Sequence, residues 1–248
     1  MLTSSDSIEL RCLALTGSFE TGKLAPDCFS GLAGDFDGQG MSLGALQWNL
    51  GQGTLQPLLR TMANQHRLVM AAAFGGGSMI DSVEAMLRMG AISNQIAWAA
   101  AKQDVEHRWL DPWKRYFVAL GQTQEFQQIQ IEAAGKYYAI AQSLCSRFGL
   151  KSDLGTALMF DIAVQNGTIS STVEGLIRAD CADSAGEMPW LIAIANRRAE
   201  AANPKYIEDT RTRKLTIAEG SGTVHGLKYD LAAQFGIRLQ AITPGVVS

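Results

Sequence analysis

Three carboxylates stand out by where they fall. Glu20 closes an amphipathic run in the string LTGSFETG, and Asp35 and Asp37 follow inside a glycine-punctuated stretch, GLAGDFDGQGMSLGALQWNLGQG. A carboxylic acid that protonates a leaving oxygen, paired with a carboxylate that activates water, is what cleavage of a glycosidic bond requires. One acid at a helix end and two on a loop suit that chemistry. The ordinary alternative is a solvated helix-end charge followed by two turn residues, because Asp-Gly steps are common in turns. Spacing alone leaves both readings open.

Other chemistries find less support. The run D-x-D-G-Q-G places Asp35, Asp37 and Gln39 at the first ligand positions of a calcium-binding loop, but position twelve is Leu46 and not a bidentate glutamate. The glycine patterns of nucleotide-binding loops, the HExxH zinc motif and the GxSxG nucleophile elbow do not occur. His66, His107 and His225 are scattered. No metal or other cofactor is expected. Tyr137, Tyr138, Trp48, Trp98, Trp109, Trp113 and Trp190 offer faces for sugar rings or simply bulk for a core. The basic run Arg211, Arg213, Lys214 reads equally as a solvated helix face or as part of an ion-pair network around an internal acid such as Asp161.

The elements that must position these residues are mostly helical. Ile8, Cys12, Leu15 and Phe19 recur at spacings of four, three and four, one face of a helix that ends near Thr21-Gly22. Glu20 therefore sits at a helix end beside a loop. The glycines from 31 to 53 favour tight turns. Thr54 offers an N-cap with Pro57 in the first turn, and the glycine triplet at 75–77 marks another restart.

Further helices are predicted over residues 93–120, bent near Asp111-Pro112, and over 124–148, 152–166, 188–202, 206–217 and 227–235. Ser171 and Glu174 fit a capping box opening a helix to about Ala182. Alternating β-branched runs are scarce, so the fold is expected to be mainly α, one domain over residues 1–248 with room for two lobes.

Composition narrows the partner. The chain has 248 residues, 47% of them hydrophobic, enough to bury a full core. Its 21 basic and 24 acidic side chains leave a net charge of −3, too little bias to indicate nucleic acid or an anionic membrane surface. No apolar stretch reaches the length of a membrane span, and the first residues lack the pattern of a secretory leader. Cys12, Cys28, Cys145 and Cys181 form no CxxC pair. Cys12 and Cys28 flank Glu20 and could bridge, with two buried thiols the expected state.

At LTGSFETG and DFDGQGMSLGALQW the chain resembles the chitosanases of glycoside hydrolase family 46, which carry a helix-terminal S-F-E followed by a D-G-x-G loop. AAAKQDVEHRWLDPW and FDIAVQNG resemble later segments of that family, and the likeness thins in the final third. The resemblance implies a lysozyme-like bilobal fold, mainly α, with a catalytic cleft between lobes and a small irregular or β region near residues 30–53. It implies Glu20 as general acid and Asp37 as general base. Ser42 falls where the family has a threonine that places the attacking water. Asp161 matches an aspartate whose arginine network supports the acid; Arg198, Arg211 and Arg213 are the candidate arginines, with Arg213 carried forward.

Two positions depart from the family. Thr21 replaces an asparagine and Gln39 replaces the loop arginine. With Asp35 and Gln47 they are expected to bind substrate or support the site. The strings E-T-G and G-A-L-Q-W are also similar to the E-S-G and G-L-M-Q motifs of peptidoglycan-cleaving lysozyme-like enzymes. The expectation is therefore an endo-acting muramidase that cleaves β-1,4 bonds of peptidoglycan with inversion. An endo-chitosanase is the runner-up and a non-catalytic wall-binding module the third reading. The expected partner is a polysaccharide, without nucleic acid or membrane insertion. The protein is expected as a monomer or as a domain of a larger chain. It would be made in the cytoplasm and reach the bacterial wall or periplasm by leaderless export, phage lysis or delivery.

Overall fold

The computed structural model describes residues 2–239. In chain order its helices are α1 (Ile8–Thr21), α2 (Leu55–Gln65), α3 (Arg67–Ala73), α4 (Ser78–Arg88), α5 (Ile92–Ala100), α6 (Trp113–Gln122), α7 (Gln124–Phe148), α8 (Asp153–Asn166), α9 (Ser171–Asp180), α10 (Met188–Glu200), α11 (Ile207–Glu219) and α12 (Leu231–Phe235). The strands are β1 (Leu32–Ala33), β2 (Ser42–Leu43), β3 (Trp48–Asn49), β4 (Ser221–Val224) and β5 (Leu227–Asp230). The fold is thus mainly α, with a small β region inside the glycine-rich stretch. No described helix is long and apolar enough to cross a membrane.

The chain divides into two compact units, one from Glu20 to Ala134, the other made of the residues up to Phe19 and those from Gly135 onward. The first, here the loop unit, holds β1, β2 and β3 as an antiparallel sheet in that order, with Leu32 opposite Leu43, Ala33 opposite Ser42 and Leu43 opposite Trp48. Its core gathers Leu55, Leu59, Met62, Met70, Phe74, Val83, Phe117 and Phe126, all buried. Phe74 and Phe117 meet edge to face at 5.2 Å, the arrangement their ring quadrupoles favour.

Two expectations for this unit are corrected. Thr54 precedes α2 without capping it; its hydroxyl accepts the Asn49 N–H at 2.9 Å instead. Residues 101–112 are not helical: α5 stops at Ala100 and an isolated bridge joins Gln103 to Trp109. The cause is Asp104, whose carboxylate accepts the N–H groups of Glu106 and Arg108, each at 2.9 Å. Such local side-chain bonds offer the backbone an alternative to the helical ladder.

In the second, helical unit α8 and α11 pack together, and α10 packs against both. Ser152 caps α8 by accepting the Gly155 N–H, and Gly167 follows the helix at φ +77°. The cap of α9 is Ser170, one residue before the expected Ser171, and Glu174 pairs with Arg147 and Arg178. The expected helix over 227–235 is instead the hairpin β4–β5 followed by α12. Its turn residues His225 and Gly226 both have positive φ, +48° and +81°, as a two-residue hairpin turn demands. All four cysteines are free and buried.

Candidate active site

Helix α1 delivers Glu20 to its exposed last turn. Ahead of it the helix is buried from Arg11 to Phe19, and Gly22 at φ +67° ends it in a conformation that glycine adopts without strain. Phe19 is clamped within the helical unit, with the Arg213 guanidinium 4.9 Å from its ring and the Tyr229 ring at 4.8 Å. The residue before the candidate acid is thus held by two contacts to its ring. Thr21, just after it, lays its methyl against Gly31: a Cβ there would lie 2.4 Å from the threonine Cγ2.

Asp35 and Asp37 have separate duties. The Asp35 carboxylate accepts the Gly40 N–H at 2.6 Å, closing the loop on itself, while the Asp35 N–H donates to the Gln103 side chain at 2.8 Å. Gln103, buried, also donates to the Gly40 carbonyl at 2.8 Å. Asp37 stands exposed at the tip and accepts one bond, from the Gln39 N–H at 3.2 Å. Asp35 is therefore a loop fastener, and Asp37 is the carboxylate left facing solvent. Gly34 lets the loop seat on the neighbouring 103–109 turn, since a Cβ at that position would fall 1.7 Å from the His107 carbonyl oxygen.

Gln39 turns its amide onto Gly51, where a Cβ would meet its Oε1 at 2.3 Å. Ser42 sits half-buried on the central strand β2, opposite Ala33 and Asn49. Gln47 has φ +50°, uncommon for a residue with a side chain, and its amide donates to the carbonyls of Gly31 at 3.1 Å and Gly44 at 2.9 Å. Thr21 and Gln47 thus meet at Gly31, which joins the E-T-G helix end to the G-A-L-Q turn. Among the described residues no group of three His, Cys, Asp or Glu gathers that could hold a metal ion.

No protein-family model matches the sequence, and no curated protein matches it. Among solved structures, native chitosanase from Bacillus subtilis MY002 aligns with a TM-score of 0.56 at 17% identity, covering 92% of this chain and 97% of that one. A family 46 chitosanase from Gynuella sunshinyii in complex with chitotetraose aligns with a TM-score of 0.56 at 13% identity over 91% and 97%. Chitosanase OU01 with substrate gives 0.54 at 18% over 93% and 99%. The chain has the fold of the family 46 chitosanases.

In this chitosanase-type fold the helical unit carries a charged centre around Asp161, which is fully buried. Arg213 donates to both carboxylate oxygens, at 2.6 and 3.2 Å; Lys214 donates to the same group and, at 2.6 Å, to Gln165; Thr16 adds a bond at 3.2 Å. Burial alone would raise the Asp161 carboxyl, but the two cations overcome it and hold it down at about 2. Burial also pushes the Lys214 ammonium down, to about 8, against the pull of Asp161. Of the two readings of the basic run, the ion-pair network is the one observed. Arg213 is the arginine on Asp161, whereas Arg211 pairs with Glu208 and Asn196, and Arg198 is buried with its Nε unpartnered.

Sequence reasoning missed the glutamines that fasten the glycine-rich loop region. Gln130 of α7 is fully buried; it donates to the Phe29 carbonyl at 3.0 Å and accepts the Ala45 N–H at 2.9 Å. A Cβ on Gly44 would strike its Oε1 at 2.5 Å. Gln103 does the same for the Asp35–Gly40 loop. The available signal was a glutamine on an apolar helical face, with Phe126, Ile129 and Ala134 buried nearby in sequence.

Proposed function

We propose that this chain is an endo-acting glycosidase that cleaves β-1,4 bonds of peptidoglycan, with Glu20 as general acid and Asp37 as general base. The observation that carries the reading is the junction at Gly31, where Thr21 of the E-T-G helix end packs against the backbone gripped by Gln47 of the G-A-L-Q turn. Those two strings are the ones that resemble peptidoglycan-cleaving enzymes. The chitosanase-type fold supports glycoside hydrolysis as the class of chemistry. Glu20 donates a proton to the leaving oxygen, and Asp37, held at the loop tip by a single turn bond, takes the proton of the attacking water. Ser42 on β2 helps to place that water.

Endo-chitosanase activity is the second reading, favoured by fold relatives solved with chitotetraose and with substrate. Incubation with sacculi and with chitosan, followed by mass spectrometry of the released ends, separates them. The expected result is soluble muropeptides with hydrolysed reducing ends from sacculi and no fragments from chitosan. Chitosan fragments alone would move the assignment to the second reading, and 1,6-anhydro ends would remove Asp37 as base.

A further inference from the structure

A groove of about 280 Å³ opens in the loop unit beside the candidate site, lined by Lys23, Arg108 and Lys114 together with Phe36, His107 and Trp109. It is continuous with the site in sequence and in structure. Lys23 lies three residues past Glu20, Phe36 lies between Asp35 and Asp37, and the groove shares strand β1 with the sheet that carries Ser42.

Its charge is one-sided. Among the described residues no carboxylate lines it. Arg108 is tied to Asp104 and Glu106, but Lys23 and Lys114 are exposed and carry no ion-pair partner among the described residues. Two ammonium groups brought to one groove whose lining holds no carboxylate favour an anionic ligand.

The walls are built as well as charged. Phe36 is 67% exposed yet sits on a fastened loop, its ring edge-on to His107 at 5.8 Å. Trp109 is buried beneath and donates its indole N–H to the Ala33 carbonyl at 3.2 Å. His107 is held at φ +59°, a conformation that only a well-determined surrounding retains. An exposed aromatic on a rigid wall is a contact surface for apolar CH groups. The volume is at the small end for ligand sites, enough for one substituent and too little for a strand of sugars.

We propose that this groove is a subsite for a carboxylate-bearing arm of the glycan, the acyl-peptide substituent of a muramyl residue. Lys23 and Lys114 receive the carboxylate, and Phe36 packs against the apolar part of the arm. The inference rests on the peptidoglycan reading above and gives that reading a chemical cause: chitosan, whose repeating amines protonate in mildly acidic water, would set ammonium groups against ammonium groups.

The test measures binding by calorimetry, using soluble disaccharide-peptide oligomers and the same oligomers with their carboxyls capped by methylamide. It uses Glu20→Gln protein so that no turnover intervenes. Uncapped oligomers are expected to bind about tenfold tighter than capped ones, a difference of about 1.4 kcal/mol. Raising salt from roughly 20 to 300 mM, which shortens the screening length to below about 10 Å, should erode that preference. Adding Lys23→Gln and Lys114→Gln should abolish it, while Phe36→Ser weakens both oligomers alike.

Equal binding of capped and uncapped oligomers, binding of neither, or a preference that survives loss of both lysines overturns the inference. Wild-type protein that releases no fragments from sacculi but keeps the charge preference overturns the hydrolase reading alone. Cleavage of sacculi without the preference overturns the subsite alone.

Discussion

Buried polar groups hold both the glycine-rich loop region and the Asp161 centre, but with opposite chemistry. In the loop unit the fasteners are neutral amides: Gln103 bonds the backbone at Asp35 and Gly40, and Gln130 bonds Phe29 and Ala45. In the helical unit the fastener is a carboxylate between an arginine and a lysine, none of the three more than slightly exposed. An amide satisfies backbone groups without a charge to desolvate, and its strength does not follow pH. A buried ion pair must recover a desolvation cost of several kcal/mol per ion, so its balance depends on every member.

The largest effect should come from breaking the ionic side. Asp161→Asn removes the buried carboxylate that Arg213 and Lys214 share, and should destabilise the protein by about 3–5 kcal/mol in urea unfolding. A loss below about 1 kcal/mol would mean that the shared carboxylate is not what stabilises this centre. On the amide side, Gln130→Leu leaves the Ala45 N–H and the Phe29 carbonyl buried and unpaired, a cost of about 2 kcal/mol. Under the proposed hydrolysis, it should also lower the rate of glycan cleavage through the shifted G-A-L-Q turn. The same variant with unchanged stability would show that these backbone groups reach water.

The last effect, no larger than that of Gln130→Leu, sharpens the contrast through pH. The Asp161 carboxyl is held at about 2 in the folded chain against 3.8 as its ordinary value. Its folded value is depressed, so the stability it supplies is present above pH 3.8 and lost as pH falls through about 2. The advantage of wild type over Asp161→Asn should therefore shrink by about 2 kcal/mol between pH 5 and pH 2. The deficit of Gln130→Leu should stay level across the same window. A gap that does not close for Asp161→Asn would contradict the charged description of that centre.

How far the sequence reveals these two regions follows from what kind of signal each leaves. The apolar spacing of Ile8, Cys12, Leu15 and Phe19 places Glu20 at a helix end, and α1 does end at Thr21. Glycine spacing reveals the irregular β region, and terminal glycines reveal the ends of α7 and α8. The basic run was visible, but its partner was one of two alternatives, because lysines and arginines on a helix read alike whether they face water or an acid.

What stayed hidden depends on single side chains reaching the backbone. Asp104 unwinds residues 101–112 by capping the N–H groups of Glu106 and Arg108, and nothing in periodicity marks it. The β4–β5 hairpin turns on His225-Gly226, where a histidine takes a positive φ that its type does not advertise. Gln103 and Gln130 look like polar breaks in apolar faces until the carbonyls they meet are known.

The central claim is that Glu20 donates the proton that breaks a glycosidic bond in peptidoglycan. Release of reducing ends from purified sacculi, compared between wild type and a folded Glu20→Gln variant, tests it most directly. The account predicts steady release by wild type and a loss of about 10²–10⁴-fold in the variant, the usual contribution of a general acid. A Glu20→Gln protein that digests sacculi at the wild-type rate would contradict it.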